Sequence, residues 1–291
     1  MNADRRSPVS DGTPTVGIVG LGLIGGCLAI DLSRLGYRVY GVARRQATLD
    51  KAKAQGIIAA GSCELELLAE ADTVFVCTPM AAIVPTVEQL SQVLTPDTVV
   101  TDVGSVKAEI VAAATALWPR FVGSHPMAGK AEAGLEAAEA GLFDQRPYVV
   151  TPIAATEPDA VEQICAIAAR LKAHLYSASP QMHDRAVAAI SHMPVMVSAS
   201  LIQTCTQTPD RELQELTKHL ASSGFRDTSR VGGGNPELGR MMAQYNRGAL
   251  LEVLQQYRQE LDGLIELIET EQWQLLENQL AESQQARPEF L

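Results

Sequence analysis

The stretch VGIVGLGLIGGCLAIDL, which spans Val16–Leu32, is the apolar segment that decides the fold. Its uncharged part resembles the core of a secretory signal peptide, and Arg5 and Arg6 lie upstream of it. However, its five glycines suit a tight turn better than a membrane-inserting helix, and no small-residue cleavage site follows. The pattern instead predicts a strand at Thr15–Val19, a glycine turn and a helix over Gly26–Leu35, which together begin a βαβ unit.

The composition is that of an acidic globular protein. The 291 residues are 46% hydrophobic, and 23 Lys and Arg stand against 34 Asp and Glu, a net charge of −11. This balance disfavours nonspecific binding to nucleic acid or to an anionic membrane, so we expect neither partner. The five cysteines are widely spaced and include no CxxC pair, so they indicate neither a disulfide framework nor a structural zinc site. We therefore expect a cytoplasmic protein without a bound metal.

Strand-like runs alternate with helical patterns as far as Tyr176. The further predicted strands are Tyr37–Val42, Thr73–Cys77, Thr98–Thr101, Arg120–Gly123 and Tyr148–Thr151. The further predicted helices are Leu65–Glu70, Ile83–Val93, Lys107–Leu117 and Ala131–Ala140. This alternation predicts an α/β Rossmann-type doubly wound sheet, mostly parallel, with the functional residues at the carboxyl ends of its strands.

The pattern after Tyr176 is helical throughout. Ser179 and Pro180 are typical of a helix start, and Pro194 should kink the first long helix because it lacks a backbone donor. We predict a disordered tail over residues 1–13, a nucleotide-binding Rossmann domain over 14–176 and an all-α helical domain over 177–291. A heptad-like seam in the last domain comprises Leu250, Leu254, Tyr257, Leu261, Leu264 and Ile268. Such a seam packs either within its own domain or between two subunits of a homodimer.

The glycine turn predicts a dinucleotide site. Gly20, Gly22 and Gly25 form G-x-G-x-x-G between a strand and a helix. The first glycine permits the turn, the second allows backbone to approach a pyrophosphate, and the third allows close packing of the helix on the strand. Leu23 and Ile24 complete the candidate cofactor-binding turn. The alternative is a glycine-rich turn without function.

The end of the second strand favours NADP over NAD. An NAD site usually offers an acidic residue to the ribose 2′-hydroxyl about 20 residues into the motif. Here Arg44 and Arg45 occupy that region, and guanidinium groups can form charge-assisted hydrogen bonds with a 2′-phosphate. Thr48 could add a hydroxyl contact. Alternatively, the two arginines are solvated surface residues.

Three further strands end in small or reactive residues, which should gather around the nicotinamide. They contribute Cys77, Thr78 and Pro79, then Ser105, then His125. Oxidation of an alcohol by hydride loss needs a base near the hydroxyl, and imidazole titrates in the useful range, so His125 is the candidate base. Ser105 could orient the nicotinamide or hydrogen-bond the substrate. The alternatives are a structural histidine and a serine that caps the following helix.

Two other groups of polar residues lie in the helical part of the chain. His183 and His192 do not have metal-ligand spacing, so capping or core roles are favoured. A glycine-rich polar segment carries Arg226, Asp227 and Arg230, and an arginine there could clamp a substrate carboxylate. A salt-bridged loop between domains is the alternative interpretation.

Six motifs in order carry a family resemblance over nearly the whole chain: GLGLIGG, FVCTP, TDVGSVK, SHPMAG, HDRAVAAISHMPV and GFRDTSR. They resemble the prephenate/arogenate (cyclohexadienyl) dehydrogenases. The resemblance implies a nucleotide domain, a dimerising helical domain and an oxidative decarboxylation that yields tyrosine or its keto acid without a metal. It further implies that His125 takes the proton of the ring hydroxyl, that Ser105 hydrogen-bonds within that constellation and that Arg230 binds a substrate carboxylate.

Departures from the family pattern favour arogenate as the substrate. Many prephenate-using members have a second histidine where this chain has Val195, and a tryptophan often found beyond the NPE-type sequence is replaced by Gly239. With the arginine pair, the chain is similar to the NADP-dependent, arogenate-preferring branch. Prephenate remains the alternative substrate. A β-hydroxyacid dehydrogenase and a non-enzymatic NADP sensor are the alternative functions, and the HDRAVAAISHMP segment lacks the lysine that the former would need.

Overall fold

The computed structural model of the protein describes residues 13–130 and 132–290. Its strands are β1 Thr15–Val19, β2 Arg38–Val42, β3 Ala60–Ser62, β4 Thr73–Val76, β5 Val99–Asp102, β6 Phe121–Val122, β7 Ser124–Pro126, β8 Pro147–Val150 and β9 His174–Ser177. Its α-helices are α1 Leu23–Arg34, α2 Gln46–Ala54, α3 Met80–Leu90, α4 Ala108–Leu117, α5 Pro158–Arg170, α6 Pro180–Val187, α7 Met193–Thr206, α8 Arg211–Leu220, α9 Ser223–Ser229, α10 Pro236–Tyr245, α11 Arg247–Glu269 and α12 Trp273–Ala286.

Six strands form one parallel sheet in the order β3-β2-β1-β4-β5-β6. This order is that of a doubly wound dinucleotide-binding sheet, so the predicted fold class is confirmed. The central strands β1 and β4 are almost wholly buried and carry β-branched residues, as strands covered by helices on both faces do. Because β1, β4 and β5 all end at the same edge, the segments that follow them meet there.

A second, three-stranded sheet continues the chain in the order β7-β8-β9, with β7 antiparallel to β8 and β8 parallel to β9. The predicted strand Tyr148–Thr151 therefore exists, as β8, but belongs to this second sheet. Strand β9, whose residues are exposed, was not predicted, and neither were β3, β7, α2 and α5. The three strands have only three or four residues each, so hydrophobic periodicity gives little signal for them. Helix α5 was missed although its buried residues recur with a helical period.

Several predicted helix bounds need correction. Helix α1 begins at Leu23 rather than Gly26, since Gly22 is its N-cap, and α3 begins at Met80 rather than Ile83. The predicted helix Leu65–Glu70 is only a 3-10 turn over Leu65–Leu68.

The predicted helix Ala131–Ala140 is wrong for its described residues, which include only the 3-10 turn Leu135–Ala137. Its first residue lies outside the described residues. Gly134 has φ 89°, a left-handed conformation that an α-helix cannot contain. Most of the predicted tail also lies outside the described residues, since they begin at Thr13.

The chain divides into two compact units, one ending at Val187 and the other beginning at Ala188. The predicted boundary follows Tyr176 instead. The difference is helix α6, which packs on α4 within the first unit. We call this first unit the nucleotide unit. The second, which we call the helical unit, consists of helices α7 to α12 and the turns that join them.

The helical run Pro180–Thr206, in which Pro194 was predicted to cause a kink, changes from α-helix to π-helix just before that residue. Residues Ala188–His192 form a single π-helical turn immediately before α7, where Pro194 cannot donate the usual backbone hydrogen bond. The predicted cap at Ser179 is confirmed, because its hydroxyl accepts the Met182 N–H at 3.2 Å.

By length and composition alone, the run Pro180–Thr206 could also cross a membrane. It has 27 residues, a mean hydropathy of 1.4 in its most apolar window, and 22% of that window is buried. Core helices of soluble proteins share this composition. The run also carries the buried polar residues His183, Asp184 and His192, which are expensive to place in lipid.

Candidate active site

The glycine turn after β1 leaves an open space above the first turn of α1. Gly20 has φ 100°, and a Cβ there would lie 2.6 Å from the carbonyl oxygen of Cys77. A Cβ on Gly25 would overlap the Gly20 carbonyl, so both glycines are required by the turn itself. At Gly22, by contrast, a Cβ would meet nothing within 4 Å. The open side of Gly22 is therefore where a ligand can approach the backbone.

The start of α1 supplies donors to that open space. Leu23 and Ile24 pack their side chains against the core of the nucleotide unit, while their backbone N–H groups lie in the first helical turn, where no intrahelical acceptor exists. Such donors at a helix N-terminus favour an anion. The turn thus fits the pyrophosphate of a dinucleotide.

The segment after β4 borders the same turn. Cys77 donates its backbone N–H to Val19, and Pro79 is the N-cap of α3. The Thr78 hydroxyl oxygen is buried and has no hydrogen-bond partner among the described residues, as expected for a group that a bound molecule completes. Burial raises the pKa of the Cys77 thiol well above its usual range, so Cys77 is not a nucleophile at neutral pH.

The arginine pair lies just beyond the end of β2. Arg44 and Arg45 are exposed, Arg45 is the N-cap residue of α2, and Thr48 follows in the first turn of that helix. The backbone N–H of Thr48 donates to the Arg45 carbonyl at 3.0 Å. Two exposed guanidinium groups at this strand end are suited to bind a phosphate group.

His125 lies in β7, with its backbone paired to Val149 of β8. Its Nδ1 lies 2.9 Å from Nε2 of His183 on α6, and the two rings meet at an interplanar angle of 72°. The His183 Nδ1 lies 2.8 Å from Oδ1 of Asp184. The predicted base therefore belongs to a row of three titratable side chains, His125, His183 and Asp184.

Asp184 also holds the N-terminus of α4. Its Oδ1 accepts the backbone N–H of Lys107 at 2.7 Å, and its Oδ2 accepts that of Ala108 at 2.8 Å. A carboxylate in this position is stabilised by the helix dipole. The capping role considered for Ser105 is therefore filled by Asp184, and the Ser105 hydroxyl donates to the Met80 sulfur at 3.4 Å.

A buried ion pair lies beneath this row. The ammonium group of Lys107 contacts Oδ2 of Asp102 and donates to the Ser124 carbonyl at 2.8 Å, and both charged side chains are fully buried. Burial lowers the pKa of Lys107, while Asp102 opposes that shift. Because Ser124 directly precedes His125 in β7, the ion pair supports the strand that carries the candidate base.

Two hydroxyls extend this support. The Ser124 hydroxyl lies 2.9 Å from the hydroxyl of Tyr148 and accepts a hydrogen bond from Thr101, also at 2.9 Å. Burial raises the pKa of the Tyr148 phenol above its usual range, so it remains a neutral hydrogen-bonding group. The residue that precedes His125, Ser124, is thus fixed by a buried polar network.

Arg230 lies in the helical unit, where it is exposed and begins a 3-10 turn over Arg230–Gly233. The segment predicted as a polar loop is largely helical, since α9, the 3-10 turn that follows it and the start of α10 occupy most of it. Arg226 and Asp227 form an exposed local ion pair at 3.0 Å. Asn235 caps α10 by accepting the Glu237 N–H at 2.9 Å.

Sequence reasoning missed the functional neighbours of His125. His183 was interpreted as a core or capping residue, and Asp102, Lys107 and Asp184 were not singled out. The acid and the lysine of TDVGSVK, together with the adjacent His-Asp of HDRAV, were the available signal. Among residues 13–130 and 132–290, no group of three or more His, Cys, Asp and Glu side chains could hold a metal ion.

The fold and the site define a class: a dehydrogenase with a nicotinamide-nucleotide domain followed by a helical domain. Residues 28–177 match the family model described as "Prephenate dehydrogenase, nucleotide-binding domain". Residues 179–282, which include the whole apolar run Pro180–Thr206, match "Prephenate dehydrogenase, dimerization domain". The chain belongs to the prephenate/arogenate dehydrogenase family.

Individual relatives agree with this assignment. The crystal structure of Synechocystis arogenate dehydrogenase is 48% identical, with a TM-score of 0.89, over 95% of this chain and 100% of that one. The prephenate dehydrogenase of A. aeolicus, in complex with hydroxyphenyl propionate and NAD+, is 28% identical, with a TM-score of 0.90, over 97% and 100% of the two chains. A prephenate dehydrogenase of Bacillus subtilis (strain 168) is 34% identical over 265 residues, 88% of this chain and 71% of its own length.

Proposed function

We propose that the protein is an NADP-dependent arogenate dehydrogenase that converts L-arogenate into L-tyrosine and CO2. The observation that supports this proposal best is the placement of His125, which lies in β7 and is held through Nδ1 by His183 at 2.9 Å. A histidine whose one ring nitrogen is occupied in this way can direct the other at a substrate hydroxyl.

In the proposed reaction His125 takes the proton of the ring hydroxyl. The bound nicotinamide supplies the acceptor for the hydride that leaves the same ring carbon. Loss of CO2 then gives the electrons of the broken C–C bond to the ring, which becomes aromatic, and the phenol oxygen recovers the proton from His125. Ser105 donates a hydrogen bond to the substrate or orients the nicotinamide, and Arg230 pairs with a substrate carboxylate.

The preference for arogenate is supported by two positions in the helical unit. A Cβ added to Gly239 would lie 3.7 Å from Cγ1 of Val195, so the two family departures are neighbours in space. Together they present a small apolar surface where a histidine and a tryptophan would present a donor and a large ring. The 48% identity with an arogenate dehydrogenase points the same way.

The preference for NADP is supported by the exposed guanidinium groups of Arg44 and Arg45 at the end of β2. Replacing both by alanine should weaken NADP binding by on the order of 10²-fold, because each charge-assisted hydrogen bond contributes about 1.5–3 kcal/mol. Binding of NAD should change little, because NAD lacks the 2′-phosphate. An equal loss for both dinucleotides would contradict the role of the arginines.

The deciding experiment is a dehydrogenase assay of all four combinations of arogenate or prephenate with NADP or NAD. Product formation is followed by the absorbance of the reduced nicotinamide. Activity with arogenate and NADP alone is the expected result. Activity with prephenate would transfer the proposal to the alternative substrate. Activity with neither substrate, despite NADP binding, would reject the enzyme proposal and favour an NADP sensor.

His125→Asn separates catalysis from binding. If His125 is the base, turnover should fall by roughly 10²-fold or more while NADP affinity stays near that of the unaltered protein. Unchanged turnover would remove His125 from the mechanism.

We also propose that the helical unit forms a homodimer through its C-terminal helices. Leu261, Ile265 and Ile268 of α11 are 44%, 44% and 51% exposed, although a long helix normally buries its apolar stripe. Part of the predicted seam is therefore uncovered within one chain, which favours packing between subunits. A second copy of the chain would cover it.

A further inference from the structure

We propose that His183 and Asp184 are positioning residues that set the tautomer of His125, so that the lone pair of its imidazole lies on Nε2. This inference rests on the proposed function, because it concerns how the base of that reaction is prepared. The motifs that identify the family do not assign a role to either residue. The juxtaposition that carries the inference is the row Asp184–His183–His125, with contacts of 2.8 Å and 2.9 Å.

The first step concerns the proton on His183. Asp184 accepts backbone N–H groups of Lys107 and Ala108, one on each carboxylate oxygen, and those groups can only donate. Its Oδ1 therefore acts as an acceptor, and the His183 nitrogen 2.8 Å from it must carry the hydrogen. The proton of neutral His183 accordingly lies on Nδ1.

The second step transfers this choice to His125. With its proton on Nδ1, neutral His183 has a lone pair on Nε2, which faces Nδ1 of His125 at 2.9 Å. His125 must donate across this contact, so its own proton lies on Nδ1. Its lone pair then lies on Nε2, the nitrogen that can receive a proton from a substrate hydroxyl.

The third step concerns the charge that forms during the reaction. When His125 accepts a proton it becomes a cation, and the Asp184 carboxylate can stabilise that charge through His183. The side chains of His183 and Asp184 are 2% and 7% exposed, so water screens this interaction little. Because Asp184 is fixed at the N-terminus of α4, neither side chain has to reorganise as the charge appears.

Two replacements of His183 distinguish positioning from packing. The oxygen of His183→Gln can take the place of Nε2 and still accept from His125, so its kcat should remain within about tenfold of the unaltered enzyme. His183→Leu cannot accept, and its kcat should fall by on the order of 10²–10⁴-fold with KM nearly unchanged. The matched control is His219→Leu, since His219 is exposed on α8 and should be indifferent to the change.

Asp184→Asn removes the carboxylate charge that stabilises protonated His125. With its oxygen in the Oδ1 position, the amide can still accept from His183 Nδ1 and from the Lys107 N–H, so the tautomers are kept while its NH2 group opposes the Ala108 N–H. The kcat should fall by on the order of 10²-fold because the charge is lost, while NADP affinity is retained. Loss of both kcat and NADP affinity would mean that Asp184 acts only as a structural cap, which would overturn the proposal for that residue.

The tautomers can be observed directly by ¹⁵N–¹H correlation spectroscopy of the histidine rings in the full-length protein with NADP bound. The expected pattern is a proton on Nδ1 of both neutral rings in the unaltered protein. A proton on Nε2 of neutral His125 would overturn the inference.

The kinetic results also separate this inference from the function on which it rests. If the unaltered protein oxidises arogenate and His125→Asn does not, the proposed function stands. If, in addition, His183→Leu is fully active, only the positioning role of His183 is rejected. Absence of dehydrogenase activity in the unaltered protein would reject the proposed function, and the tautomers would still be measurable.

Discussion

The nucleotide unit and the helical unit differ sharply in how much apolar surface each covers within one chain. In the nucleotide unit, all residues of β4 and β5 are buried, and Phe75, Phe121 and Leu28 are fully enclosed. In the helical unit, helix α11 buries Leu250, and among the described residues α8, α10 and α12 bury none. One unit contains its own core, and the other presents its apolar side chains outward.

The two units therefore differ in whether their apolar surface is covered by their own chain. A parallel sheet covered by helices is closed by its own chain, whereas the helices of the second unit expose Leu261, Ile265 and Trp273 by about half. Such apolar exposure is typical of a surface that packs against another molecule. The match of this unit to a dimerization domain is consistent with that interpretation.

The largest expected effect follows from charging the exposed stripe of α11. Leu261→Glu combined with Ile265→Glu should weaken self-association by on the order of 10³-fold or more, because four half-exposed side chains, two from each subunit, each lose about 1 kcal/mol of apolar burial. Light scattering across a concentration series should show a dimer for the unaltered protein, as proposed, and a monomer for this double variant. The nucleotide unit should still bind NADP, since its core is its own.

Gln256→Glu is the matched control for this pair, because it adds a charge at an exposed polar position on the same helix. It should leave the dimer intact. Dissociation by the control, or a dimer that survives the double change, would show that the α11 stripe is not the interface.

The next largest effect is expected on the stability of the nucleotide unit, at the buried ion pair of Lys107 and Asp102. Lys107→Met leaves the carboxylate of Asp102 buried without its cation, which should lower the free energy of unfolding by about 3–5 kcal/mol. Denaturant titration would measure the loss. This loss measures the cost of leaving the Asp102 carboxylate buried without a partner, and not the net contribution of the ion pair to stability.

Adding Asp102→Leu to Lys107→Met tests that explanation. Removal of both charges should recover a large part of the lost free energy, as replacement of buried ion pairs by apolar residues often does. If the double variant is less stable than Lys107→Met, the carboxylate has other partners that matter more, such as the backbone N–H groups of Gly104 and Ser124.

A third effect separates the two roles of glycine in the cofactor turn. Gly25→Ala forces a Cβ into the Gly20 carbonyl and should cost about 3 kcal/mol of stability as well as cofactor binding. Gly22→Ala meets nothing in the protein, so it should change stability by about 1 kcal/mol or less while blocking the approach of the pyrophosphate. Calorimetry of unfolding and of NADP binding would separate the two.

Sequence patterns predicted the strands and the glycine turn, whose structure depends on the conformation of a short stretch of backbone. All the predicted strands exist, each within one residue of its predicted ends, because buried alternating or continuous apolar runs leave a direct signal. The three glycines of the cofactor turn were likewise predicted from their spacing. Where a role depends on local conformation, the information lies in a few adjacent residues.

The histidine row could not be predicted in that way. His125 and His183 lie 58 residues apart in the chain, and their contact depends on how α6 packs on α4. Asp184 caps a helix that begins 76 residues earlier, which no local capping pattern can reveal. The failed helix Ala131–Ala140 shows the converse, since helical composition was overridden by the left-handed conformation at Gly134.

The smallest expected effect concerns the thiols of the nucleotide unit. Cys63 is exposed after β3, whereas burial raises the pKa of Cys77, and the thiolate is the reactive form. With iodoacetamide at about pH 8, Cys63 should be labelled first, and Cys77, which is only partly exposed and whose pKa is raised, much more slowly. Peptide mass spectrometry would follow both. Labelling of Cys77 in the folded protein at a rate near that of Cys63 would mean that the nucleotide unit opens at the cofactor edge, so its closed core would be less self-sufficient than the comparison with the helical unit implies.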